Sequence, residues 1–322
     1  MRKIKLGRHN IGNVFLAPMA GVSDPAFRTL CLRHGFGLAV NEMVSANALA
    51  RLHDDMDDAK AGDRDDKKSE ALKTSIDSLL VKTKEEEIFA QQVFGEDHKA
   101  IAKAVEVLQD EYHADIIDIN FGCPVRKITD QGAGSDLLKH PEKIRKIVES
   151  AVSVAKVPIT CKIRLGINDR HINATETSRI IENAGARLIT VHGRTQAQGY
   201  SGECDYQEIT KVKENANIPI IANGNIASRE DIENVERITS CDGVMIGRAA
   251  KNNPCLLEDK KAENLFDEYF QIMDKYELDV KFPLVKEHAM SFTKGMELGP
   301  KIRERLIGTK TIDEIRRLLD DV

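Results

Sequence analysis

Residues 115–126 read DIIDINFGCPVR, a β-branched apolar run that breaks into a loop bounded by Gly122 and Pro124. Gly122 permits close backbone approach and Pro124 stiffens the exit, so Asn120 and Cys123 are delivered at a strand's C-terminal end. Reactive groups on loops held by rigid elements are commonly placed this way. A lone cysteine is ordinarily a small buried hydrophobe, and the other five in this chain are read so. The setting of Cys123 singles it out.

Seven similar runs surround it: NVFLAPMAG (13–21), LAVNEMVS (38–45), IFAQQVFG (88–95), PITCKIRLG (158–166), RLITVHGR (187–194), IPIIANGN (218–225) and GVMIGR (243–248). Each ends in polar or glycine-rich punctuation. Between them lie segments with apolar residues three and four apart, such as 98–110 and 142–155, which read as amphipathic helices. Strands alternating with helices imply a parallel sheet, and eight such units within about 250 residues match a (β/α)8 TIM barrel. A doubly wound sheet would want one glycine fingerprint after its first strand. Here the special residues follow nearly every strand, as on the catalytic face of a barrel.

A chain of 322 residues, 41% hydrophobic, buries a full core and leaves room for a second small domain. It has no apolar run of membrane-spanning length, and MRKIKLGRHN lacks a signal-peptide core, so a cytoplasmic protein without membrane association is expected. The six cysteines form no CxxC pair and no His-Cys ligand spacing, which points to neither disulfides nor a metal.

The net charge of −5 is concentrated in residues 53–87, where twelve acidic residues face seven basic ones. The aspartate-rich start of this segment is expected as a solvated loop, with a helix in the stretch from Ser69 to Glu87. Past the eighth strand, residues 256–322 carry no strand-like run and read as three or four short helices. Within 281–310, seven basic residues meet three acidic ones. A basic appendage beside a catalytic face suits a polyanionic substrate.

Asn223-Gly224-Asn225 follows the seventh strand and Gly247-Arg248 the eighth, the two loops that usually form the phosphate site of such barrels. Lys162 and Arg164 alternate on the fifth strand, so both side chains share one face. His192 ends the sixth.

Taken in order, PMAGVSDPAFR (18–28), the Gln92 to Gly95 turn, DINFGCPVRK (118–127), GAGSDLL (132–138), KIRLG (162–166), TVHGRT (190–195), ANGNI (222–226) and GVMIGRAAKNNP (243–254) resemble the motif series of the flavin-dependent tRNA-dihydrouridine synthases. The resemblance implies an FMN enzyme that uses NADPH to reduce the C5–C6 double bond of particular uridines in tRNA, here expected to be a monomer. An FMN-binding catalytic barrel is expected over 1–252, and the position and positive charge of the helical region point to a tRNA-binding domain over 253–322. Pro18, Met19 and Ala20 would line the isoalloxazine edge, and Gln92, Lys162 and His192 would contact the ring system. Asn223, Gly224, Asn225, Gly247 and Arg248 would hold the phosphate. Asn120 and Arg194 would lie near the flavin and the uracil, with Cys123 as proton donor. Lys301, Arg303 and Arg305 would grip tRNA, and Arg126 and Lys127 are the alternative grip. The chain departs from the pattern in having no tryptophan and a long acidic segment. A flavin barrel acting on a free pyrimidine, or a flavin-free phosphate-binding barrel with Lys162 as a Schiff-base amine, remain the other readings.

Overall fold

The computed structural model describes residues 2–60, 66–258 and 265–320. Its centre is a closed barrel of eight parallel strands: β1 (Val14–Leu16), β2 (Leu38–Ser45), β3 (Ala90–Phe94), β4 (Ile116–Phe121), β5 (Ile159–Arg164), β6 (Leu188–His192), β7 (Ile220–Asn223) and β8 (Gly243–Ile246). All eight expected runs are strands. Each pairs with its neighbour in sequence, and β8 closes on β1 through Val244 opposite Val14.

Two-residue alternation sorts the strand side chains. Phe15, Leu38, Ala90, Ile116, Leu188 and Ile221 meet inside the barrel, whereas Val14, Leu16, Ala39, Ile117, Ile189 and Ile220 join the larger core outside it. An N-terminal hairpin, Lys3–Leu6 with His9–Gly12, adds Ile4, Leu6 and Ile11 to the interior cluster and plugs that end of the barrel. The pattern of apolar runs does not announce this hairpin.

The surrounding helices are α1 (Pro25–Arg33), α2 (Ala46–Lys60), α3 (Asp66–Leu79), α4 (His98–Asp110), α5 (Pro141–Val154), α6 (Ala174–Asn183), α7 (Tyr206–Glu214) and α8 (Arg229–Thr239). Helix α2 runs through the aspartate-rich stretch expected as a loop, because Ala46, Leu49 and Leu52 bury one face and carry the helix forward. Residues 61–65 of that stretch lie outside the described residues. The helix expected within 69–87 begins earlier and ends earlier, at Asp66–Leu79.

Beyond a short helical turn at Arg248–Asn252, four helices follow the barrel among the described residues: α9 (Leu265–Lys275), α10 (Phe282–Phe292), α11 (Gly299–Ile307) and α12 (Ile312–Asp320). Of these, α9 and α10 dock against α1, and α11 and α12 pack on α10. Asp24 caps α1 by accepting from the Ala26 and Phe27 amides through Oδ1. Its Oδ2 accepts from His288 Nε2 at 2.7 Å and from the Tyr269 hydroxyl at 3.3 Å. Phe27 stacks on His288 with ring centres 4.7 Å apart. Farther along this seam His34 lies between Glu258 and Glu268, and Arg33 between Glu85 and Glu268.

Candidate functional site

The C-terminal ends of all eight strands open onto one cavity of about 850 Å³. Its wall contains Pro18, Met19 and Ala20 after β1, Gln92 on β3, Asn120 and Cys123 from β4, Lys162 and Arg164 on β5, and His192 ending β6. Asn223, Gly224 and Asn225 contribute after β7, and Gly247 and Arg248 after β8. Residues scattered over some 230 positions thus converge because parallel strands all end on the same rim.

Local bonds hold each piece in place. The 18–24 turn is tied by Ser23, whose Oγ accepts from the Met19 amide, and by Glu42, which accepts from the Gly21 amide at 2.8 Å. Asn120 Oδ1 accepts from the amides of Gly122 and Cys123, at 3.0 and 2.8 Å, and so caps the loop that carries the thiol. The Cys123 carbonyl accepts from both the amide and the hydroxyl of Ser135. Gly134, at φ +61°, makes that approach possible, since a Cβ there would lie 2.8 Å from the Cys123 oxygen.

The site is electropositive. Lys162 Nζ donates to Asn223 Oδ1 at 2.9 Å, and Asn223 Nδ2 in turn donates to the Met245 carbonyl. Enclosure in the barrel, reinforced by Arg164, brings Lys162 down to about 8. Burial together with Lys162, Arg164, Arg194 and Arg248 holds His192 neutral. Its Nε2 faces Arg194, which only donates, so Nε2 is the accepting nitrogen. Burial raises the Cys123 thiol above its ordinary value, against the pull of the Val125 amide, Arg164 and Lys162.

Arg164 and two further side chains shape the mouth. Arg164 donates to the carbonyls of Gly122, Thr195 and Gly199, joining the loops after β4 and β6. Tyr200 stands 58% exposed, with the guanidinium groups of Arg164 and Arg248 at 5.6 and 5.1 Å from its ring centre. Met43 completes the wall near Asn120. Of these, Arg164 is legible in the sequence through its alternation with Lys162, whereas Met43 falls where the register of β2 shifts and Tyr200 sits in a loop without periodicity.

Other expected residues lie away from the cavity. Arg194 is 2% exposed and its guanidinium donates to the carbonyls of Ser201 and Gly202, to Asn225 Oδ1 and to Cys204 Sγ. It braces the wall from behind, against Asn225 and His192. Arg126 and Lys127 are exposed on the short turn Arg126–Thr129 beside the thiol loop. Lys301 and Arg305 are exposed on α11, whereas Arg303 is half-buried and donates to the Thr293 carbonyl. Among the described residues, one group has its potential metal-ligating atoms close together, His34, Cys255 and Glu258. Both His34 nitrogens there already meet carboxylates.

Comparison with known proteins agrees with this architecture. The family model described as dihydrouridine synthase (Dus) matches residues 15–305. A tRNA-dihydrouridine synthase B of Pasteurella multocida is 34% identical over 306 residues, 94% of this chain and 85% of the relative. The protein of the same name from Escherichia coli K12 is 36% identical over 257 residues, 80% and 74% of the two chains. A probable tRNA-dihydrouridine synthase of Rickettsia conorii is 33% identical, covering 93% and 90%. Among solved structures, histamine dehydrogenase from Rhizobium sp. 4-9 shares the fold at a TM-score of 0.53 and 12% identity, over 79% of this chain and 46% of that one. With its family match spanning most of its length, the chain belongs to the dihydrouridine synthase family.

Proposed function

We propose that this protein reduces the C5–C6 double bond of uridines in tRNA, with FMN as bound cofactor and NADPH as reductant, in the cytoplasm. The observation that carries the reading is a thiol, Cys123, held at the mouth of a cavity that also presents amides, cations and the apolar edge of Pro18, Met19 and Ala20. Relatives at about a third identity named for that reaction support it.

The donor set fits FMN. At Gly224, φ +115°, a Cβ would collide with Cys204 Sγ and His192, so only glycine lets the backbone pass here. Together with Asn223, Asn225, Gly247 and Arg248 it forms a polar, cationic pocket suited to a phosphate. Gln92, Lys162 and His192 would face the ring system, and Pro18, Met19 and Ala20 its edge. When bound, FMN would supply the hydride delivered to uracil C6.

The chain's own residues supply the rest. The Cys123 thiol keeps its proton at neutral pH because burial opposes thiolate formation, and it gives that proton to C5. Asn120 fixes the loop from which it acts. Lys162 places a cation against the electron-rich side of the reacting pair. A base in a folded RNA must leave its stack to reach such a cavity. Exposed Tyr200, flanked by two guanidiniums, offers it a face at the entrance.

The test is direct: tRNA lacking dihydrouridine, incubated with the protein, FMN and NADPH, gains it as measured by nucleoside mass spectrometry. No gain with any tRNA of the source cell would sink the proposal. We further place the tRNA grip on residues 253–322. Lys301→Glu with Arg305→Glu weakens tRNA binding and flattens its dependence on log salt by about one unit for each phosphate no longer neutralised. An unchanged affinity and slope moves the grip to Arg126 and Lys127.

A further inference from the structure

Two amides of the cavity wall connect a buried carboxylate beneath them to the backbone of the thiol loop. Asp118 is 3% exposed on β4. Its Oδ1 accepts from the Thr160 hydroxyl at 2.7 Å and its Oδ2 from Gln92 Nε2 at 2.6 Å. Gln92 Oε1 accepts from Asn120 Nδ2 at 2.7 Å. Asn120 Oδ1 then accepts from the Gly122 and Cys123 amides.

A side-chain amide donates from one end and accepts at the other, so the orientation of one link dictates that of the next. An ionised carboxylate only accepts. With Asp118 below, Gln92 turns its NH2 down and its oxygen up; Asn120 answers with its NH2 and is left presenting an oxygen to the loop. We propose that Asp118 is a positioning residue, which sets the polarity of the Gln92–Asn120 pair and through it holds the backbone of Cys123. Its importance for the reaction rests on the function proposed above, but the relay itself stands on geometry alone. Burial raises the Asp118 carboxyl above its ordinary value, and Gln92, Thr160 and nearby Lys162 pull it back in part.

Two substitutions separate the acceptor from the charge and the volume. Asp118→Leu is close in size but accepts nothing. Asp118→Asn loses the charge yet can keep an oxygen toward Gln92 while its NH2 turns to the Thr160 hydroxyl. The readout is alkylation of Cys123 by iodoacetamide in ligand-free protein, followed by peptide mass spectrometry with half-buried Cys204 as internal control. In Asp118→Leu the loop loosens and Cys123 labels faster by about fivefold to tenfold, the factor for removing one net hydrogen bond, while Cys204 is unchanged. Amide exchange over 121–125 quickens with it. Asp118→Asn restores the parent rate.

Equal acceleration in both variants means the charge matters and overturns the relay. A parent rate in Asp118→Leu means only volume matters and overturns it as well. Should Asp118→Leu fail to fold, Asp118→Ala is read in its place with the same outcomes. None of these measurements uses flavin or tRNA, so a failed dihydrouridine assay and a failed relay are told apart.

Discussion

Two charged regions of this molecule are built on opposite plans. At the seam between α1 and the C-terminal helices, cations meet carboxylates. Arg33 and Lys275 share Glu85, and His34 is held between Glu258 and Glu268. At the cavity mouth, Lys162, Arg164 and Arg248 meet instead an amide oxygen, carbonyls and an aromatic ring. Paired surface charges add modestly to stability. Cations that bond no carboxylate directly, Lys162 having Asp118 near but not in contact, cost stability and are kept where an anion is to arrive. The pairing pattern therefore separates what holds the protein together from what waits for a ligand.

The largest test of that division is at the thiol. Cys123→Ala leaves FMN binding and thermal stability near the parent but lowers uridine reduction by about two to four orders of magnitude, as expected when a general acid is removed. Parent-like dihydrouridine formation would remove Cys123 from the reaction. Arg248→Ala comes next. It weakens FMN by about 1.5–3 kcal/mol, the size of a charge-assisted hydrogen bond. Riboflavin, which lacks the phosphate, is nearly indifferent; equal weakening of both ligands places the phosphate elsewhere.

The pH responses of the two regions run through different groups. Lys162, at about 8, is charged in the ligand-free protein below that pH and neutral above it. An anionic ligand favours the charged form, so FMN affinity is flat below pH 8. Above it, affinity falls by up to about tenfold per unit, until the higher pKa of the complex is reached. Titration calorimetry across pH 7–10 checks this, and Lys162→Met flattens the curve. A slope that survives the substitution assigns the titration to another group.

The smallest effect is expected at the seam. His34 is pushed up from 6.5 to about 10 by the Cys255 side chain, then by Glu258 and Glu268, against burial. A raised pKa means the folded state holds the proton more tightly. The stabilisation is complete below pH 6.5 and is lost as pH rises through about 10. The difference in melting temperature between the parent and His34→Gln shrinks over that window. A constant difference would show that His34 does not titrate there.

How much of this could be read beforehand follows from where each residue sits. The barrel strands were legible because strands buried on both sides are continuous β-branched runs. Site residues on strands were legible for a related reason: alternation fixes their direction, as for Lys162, Arg164 and His192. Past a strand's end that rule lapses. Strand β6 stops at His192, and Arg194, two residues on, turns behind the wall. Arg28 shows another limit. It lies within a matched motif, yet it forms a buried pair with Glu86, a partner 58 positions away that no local pattern announces. The relay through Asp118 was equally hidden, since it depends on which amide faces which across three adjacent strands.

Asp24 makes the barrel and the C-terminal helices poor candidates for separate expression. A chain ended at Asn252 would keep the α1 cap but lose His288 and Tyr269 from Oδ2, and would bare the face of Phe27 on which His288 and Phe292 now stack. A sticky aromatic surface beside an under-satisfied carboxylate favours aggregation. The practical unit for dissecting this protein is the whole chain with point substitutions, and a truncated barrel would report on its own insolubility before it reported on catalysis.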